Sequence, residues 1–134
     1  MHSIYLSGAS SELVLCESYR DKLVNDGWHI ELDWMAKIRA SGIGDTSLPV
    51  REQQHVAQTD LWAVSRAECF WLVLPSAPSR TIGAWVELGY ALALEDAPVI
   101  VISGPQHSIF DQLGERRFGT HDEAFAYIHE LYWR

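Results

Sequence analysis

Two short stretches, CFWLVL (69–74) and PVIVIS (98–103), are apolar at nearly every position. A strand with one wet face alternates apolar and polar side chains. A run that is apolar at both parities needs cover on both faces, the environment of a central strand in a parallel sheet. Neither run is long enough to cross a bilayer. This one feature predicts an α/β sandwich, and the segments around the two runs fit it.

IYLS (4–7) reads as a first strand, closed by Gly8. SSELVLCESYRDKLVNDG (10–27) reads as a helix. Ser10 or Ser11 can cap it, Leu13, Cys16, Tyr19 and Leu23 recur at helical spacing, and Asp26-Gly27 stops it. WHIELDW (28–34) alternates and predicts a second strand. Residues 35–50, which include SGIGDTSLP, read as loop. A second helix is predicted over 51–68 and a third over roughly 80–95. SIFDQL (108–113) predicts a short helical turn, RRF (116–118) an edge strand and HDEAFAYIHELYW (121–133) a closing helix. Strands alternating with helices at this spacing predict one domain, residues 1–134. Its architecture is a doubly wound, five-stranded parallel sheet of flavodoxin-like order 2-1-3-4-5, with helices on both faces. Such sheets bind ligands beyond the carboxyl ends of their strands, near the switch point between strands one and three. Ser7–Ser11, Pro75–Thr81 and Gly104–Ser108 are expected to converge there.

Composition narrows the function classes. Ten basic against 18 acidic residues give a formal net charge of −8. That argues against wrapping DNA or RNA, which needs a basic face. A small anionic ligand stays possible, because a helix N-terminus binds phosphate locally. Cys16 and Cys69 have no metal or redox spacing and read as buried thiols, which fits a reducing cytoplasm. MHSIYLSG has no basic region ahead of an apolar stretch, so no secretory signal and no membrane partner is expected. His29, His55, His107, His121 and His129 form no ligand pattern, so neither a metal nor a cofactor is expected.

One carboxylate stands out. TIGAWVELGYAL (81–92) carries a single charged residue, Glu87, in the second turn of a helix that Thr81 or Ser79 can cap. Gly83, one turn earlier, leaves space above the carboxylate. Gly89 costs about 1 kcal/mol of helix propensity and is read as a close-packing position. Glu87 is either a solvent-facing residue or a site residue. Asp60 shares a helical stripe with Val56, Ala63 and Val64. It either marks the stripe's edge or is buried with a purpose, since burying an unpaired charge is costly. Two acids in one pocket separate in pKa, giving one nucleophile or base and one proton carrier. Tyr5 is either a core tyrosine or a phenol that orients a carboxylate. SGASS (7–11) resembles a weak phosphate or ribose cradle without a dinucleotide or P-loop fingerprint. Trp34, Trp62 and Trp85 are core residues or stacking platforms for a base.

IYLSG near the start, TDLWAVSRAECFWLVL, GAWVELGYALALEDAPVIVI and SIFDQL together resemble the nucleoside 2-deoxyribosyltransferase family, which includes deoxynucleoside monophosphate N-glycosidases. The similarity covers nearly the whole chain and centres on residues 60–102. It implies that Glu87 is the nucleophile attacking the anomeric carbon of a deoxyribose, that Asp60 assists proton transfer to the leaving base, and that Tyr5 holds the nucleophile. It also implies a deoxynucleoside or deoxynucleotide substrate and a homodimer or larger homo-oligomer whose subunits complete each other's sites. Six residues before the nucleophile, the transferases carry an aspartate for the sugar hydroxyls and the monophosphate hydrolases a serine for the 5′-phosphate. Here Thr81 stands there beside Arg80, a hydroxyl and a guanidinium suited to phosphate. Ser108 matches a hydrolase serine that reaches the neighbouring subunit's phosphate site. The hydrolase serine of the first loop falls at Ala9, with Ser10 and Ser11 adjacent, so Gly8, Ser10 and Ser11 are the expected cradle. Trp85 replaces a small residue two positions before the nucleophile. It favours an alternative reading, a nucleotide-binding or sensing module of the same fold without turnover.

Overall fold

The structure, a computed structural model, describes residues 1–41 (for Ser41 the backbone only), 48–77 and 81–134. Its sheet is five-stranded and entirely parallel, in the order 2-1-3-4-5. The strands are β1 (Ser3–Gly8), β2 (His29–Ile30), β3 (Cys69–Val73), β4 (Val99–Ser103) and β5 (Arg116–Phe118). The helices are α1 (Leu13–Asn25), α2 (Trp34–Ser41), α3 (Val50–Arg66), α4 (Ile82–Ala93) and α5 (His121–Tyr132), with 3-10 turns at Ser10–Glu12 and Ile109–Gln112.

The two apolar runs are the middle of the sheet. All five residues of β3 are buried, as are the last four of β4. Successive strand residues point to opposite faces. Ile4, Leu6, Cys69, Trp71 and Val101 pack with α1 and α5. Tyr5, Phe70, Leu72, Ile100 and Ile102 pack with α3 and α4. That parity puts the Tyr5 and Ser7 side chains on the α3/α4 face.

Two expectations are corrected. WHIELDW is not a seven-residue strand. β2 ends at Ile30, with one further backbone bond from Glu31 N–H to the Ile4 carbonyl. The chain then turns into α2, inside the segment expected to be loop. The Asp33 carboxylate accepts the Ala36 N–H at 3.0 Å, the act of a helix N-cap, and also pairs with Arg20. Capping by Asp33 thus competes with the alternation that Leu32 and Trp34 would continue, and the helix prevails with Trp34 packed on Leu6 and Met35 in the core. At α1, neither Ser10 nor Ser11 is the cap. A 3-10 turn flanked by Ala9 precedes the helix, and no side chain caps either segment.

Candidate active site

β1 supplies the first half of the site. Tyr5 and Ser7 are two residues apart, so their side chains leave the strand on the same face. Both are buried. The Tyr5 hydroxyl donates to Glu87 Oε2 at 2.6 Å, and the Ser7 hydroxyl donates to Oε1 at 2.8 Å. Each carboxylate oxygen of Glu87 is thereby held by one donor and keeps lone-pair capacity.

α4 and α3 supply the acids. Ala84, Leu88 and Ala91 form the buried stripe of α4. Glu87 sits beside that stripe, where the helix turns towards β1. On α3, Ala63 and Val64 enter the core, and Asp60 lies one turn earlier on the same stripe. Asp60 and Glu87 line one hollow of about 280 Å³, together with Tyr5, Gly8, Ala9, Ser10, Thr81, Gly83 and Ala84. Trp34, Lys37 and Ile38 of α2 and Val56 of α3 form its remaining wall.

The electrostatics follow from this burial. Desolvation pushes Glu87 up to about 7, aided by the Asp60 charge and opposed by the Tyr5 and Ser7 hydrogen bonds. Desolvation also pushes Asp60 up to about 6, opposed by the Lys37 charge. Tyr5 is raised by burial and by the negative charges of Glu87 and Asp60, so it stays a neutral donor. Between those two values the acids hold about one proton between them, and Glu87 is the stronger claimant. Such an arrangement suits nucleophilic and acid–base work on one substrate.

The remaining expected residues divide into three groups. Gly8, Ser10, Thr81 and Gly83 line the hollow with the acids. Gly8 also permits close packing, since a Cβ there would come 2.8 Å from Cys16 Sγ. A Cβ at Gly83 would meet no atom of the described residues beyond its own helix within 4 Å, so among them the space above Glu87 is open as expected. Thr81 flanks α4, but its hydroxyl takes no capping bond. Ser11 lies in the 3-10 turn and is not a wall of the hollow. Arg80 and Ser79 fall outside the described residues.

Ser108 is not brought to Glu87. It lies in a second, larger groove of about 820 Å³ on the outer side of α4, with Pro75, Gln106, His107 and Phe110. Thr81 borders both hollows. The three converging segments are thus split between them. Ser108 also has a local task. Its Oγ accepts the Phe110 N–H at 3.1 Å while buried Asp111 accepts the Ser108 N–H, a reciprocal capping box. Gly89 is corrected as well: beyond its own helix, no atom of the described residues lies within 4 Å of where a Cβ would stand, and it faces the outer groove. Trp85 lines that same groove and not the hollow that holds Glu87.

Sequence reasoning placed Ser7 only in the SGASS cradle and missed it as a partner of Glu87, and it missed Lys37 as a site residue. Ser7 was legible as the i+2 partner of Tyr5. Lys37 is hidden because the sequence predicts loop where α2 forms. Among the described residues, no group of three or more His, Cys, Asp or Glu side chains is placed to hold a metal, and no helix is long and apolar enough to cross a membrane.

The fold and site define a class: a doubly wound parallel α/β protein with a half-buried carboxyl pair, one member held by two hydroxyls, beside the first strand's carboxyl end. No protein-family model and no curated protein matches the chain.

Proposed function

We propose that this chain is a nucleoside 2-deoxyribosyltransferase-like enzyme that cleaves the N-glycosidic bond of deoxynucleosides or their 5′-monophosphates. The observation that carries the reading is the pairing of Glu87, held by Tyr5 and Ser7, with Asp60 in one hollow. A Glu87 oxygen attacks the anomeric carbon, and the bond to the base nitrogen breaks. The electron pair leaves with the base, and Asp60 supplies the proton. The glycosyl ester on Glu87 is then opened by a second base, which is transfer, or by water, which is hydrolysis. In both cases Asp60 takes up the proton released, from the ring N–H of the incoming base or from the attacking water.

The sugar's 5′ end would lie towards Gly8–Ser10 and Thr81. A 5′-phosphate there meets the N-terminal end of α4, whose dipole favours an anion. The homo-oligomer expected from the resemblance would cover the outer face of α4, where Ile82, Val86 and Phe110 are exposed beside Ser108. Work on a small nucleotide in the cytoplasm is consistent with this reading and with the buried free thiols of Cys16 and Cys69. The rival binding module draws its support from Trp85, which stands where the resemblance implies a small residue. Trp85 faces the outer groove.

The test is a panel of deoxynucleosides and 5′-monophosphates, with and without an acceptor base, followed by chromatography of free base. Release by the wild type and its loss by at least about 10³-fold in Glu87→Ala is expected. Tight binding of the panel with no base released, at high enzyme concentration, would make the chain a sensor. Exchange that needs an acceptor base would make it a transferase.

A further inference from the structure

The two acids are tuned by different partners. Glu87 receives two hydroxyl donors, from Tyr5 and Ser7. Asp60 faces Tyr5 of β1, Glu87 of α4 and the ammonium of Lys37 on α2. Among the described residues lining the hollow, Lys37 is the only side-chain cation.

Its position is built, not incidental. The Trp34 indole N–H donates to the Leu6 carbonyl at 2.7 Å, Met35 is fully buried, and Asp33 caps the helix start. These contacts fix the rotation of α2. Trp34, Lys37 and Ile38, at i, i+3 and i+4, then form one stripe, and all three line the hollow. A lysine ammonium carries three donors and no acceptor. It can attract Asp60 or an acceptor atom of a bound substrate.

We propose that Lys37 is a positioning residue for the acid pair: its charge keeps the shared proton on Glu87 while the pocket is empty, and releases it to Asp60 when an anionic group of the substrate pairs with the ammonium and offsets its charge. This rests on the glycosyl-transfer reading. The proton leaves the Glu87 carboxyl and arrives on the Asp60 carboxylate. Glu87 becomes the anionic nucleophile and Asp60 the acid for the departing base, and the total charge of the pair is unchanged. The free protein thus keeps its nucleophile masked.

Lys37→Met and Lys37→Gln remove the charge, and Lys37→Arg keeps it. Carbon-detected NMR of the aspartate and glutamate side chains follows both titrations in the intact protein. In Lys37→Met and Lys37→Gln, the Asp60 titration should move up by roughly one pH unit. Both limbs of the pH–rate bell for base release should move up with it, because the bell reports the pair as a whole. Lys37→Arg should restore both. Thermal unfolding identifies whichever neutral variant is folded. An unmoved Asp60 titration in a folded neutral variant overturns the proposal, as does a moved titration with an unmoved bell. If the wild type releases no base from any substrate, the glycosyl-transfer reading falls and the catalytic role of Lys37 falls with it. The NMR titration still decides separately whether Lys37 controls Asp60.

Discussion

The two faces of the sheet bury polar groups in opposite ways. On the α1/α5 face the Trp71 indole N–H donates to Ser103 Oγ at 2.8 Å, and Ser103 Oγ lies 2.7 Å from His121 Nδ1. Tyr19 donates to Asp122 at 2.6 Å nearby. Ser103 is fully buried, and burial lowers the pKa of His121 despite the raising influence of Glu12 and Asp122. With His121 neutral, each group in the chain answers another. On the α3/α4 face the hydroxyls of Tyr5 and Ser7 converge on one carboxyl that faces a hollow, with a second acid across it. The first arrangement is closed and fixes a packing. The second is completed only by something that enters the hollow. Buried polar groups alone therefore do not mark a site. Half-buried ionisable groups that share an open cavity are what make the second face a candidate.

Asp60→Asn should separate the faces most sharply. An amide cannot supply a proton, so base release should fall about 10²–10⁴-fold, read as kcat on a deoxynucleoside with a poor leaving base. A leaving group that needs no proton should restore most of that loss, which a folding defect would not allow.

A smaller effect comes from pH. Burial raises Glu87 from 4.5 in the ordinary state to about 7 in the folded chain, so the folded state holds that proton more tightly. Its contribution to stability is fully present below about pH 4.5 and is lost as pH rises through 7. Urea unfolding of wild type and Glu87→Gln, compared between pH 4 and pH 8, should therefore shift in favour of the variant by about 2–3 kcal/mol. A constant difference across that range would mean the carboxyl is not desolvated.

The smallest effect belongs to the closed face. Ser103→Ala leaves the Trp71 N–H and His121 Nδ1 without their partner and should cost about 1–3 kcal/mol of stability. Base release per folded molecule should stay at the wild-type level. A loss of turnover in the folded variant would show that the two faces are coupled through β4.

Much of the fold was legible because its signals are local. The apolar runs at 69–74 and 98–103 declared a doubly covered sheet, RRF marked β5 within its observed bounds, and Asp26-Gly27 stopped α1, with Gly27 at φ +100°. The segment after β2 was misread because alternation in WHIELDW and the capping power of Asp33 compete over the same residues. Only the packing of Trp34 against Leu6 and of Met35 in the core decides the outcome. The site was legible by halves. Glu87 and Asp60 stood out as charges on apolar stripes, and the family resemblance gave them roles.

By itself, then, the sequence determined which residues share a face: Tyr5 with Ser7, Asp60 with Val56 and Ala63, Glu87 beside Ala84 and Leu88. Periodicity carries that information because it is a property of one element at a time. The tertiary structure alone decided which faces meet. It joined both hydroxyls to Glu87, brought Lys37 in from a helix that the sequence predicts as loop, and put Trp85 and Ser108 on the far side of α4. A hollow belongs to no single element, so its walls are fixed only when separate elements pack.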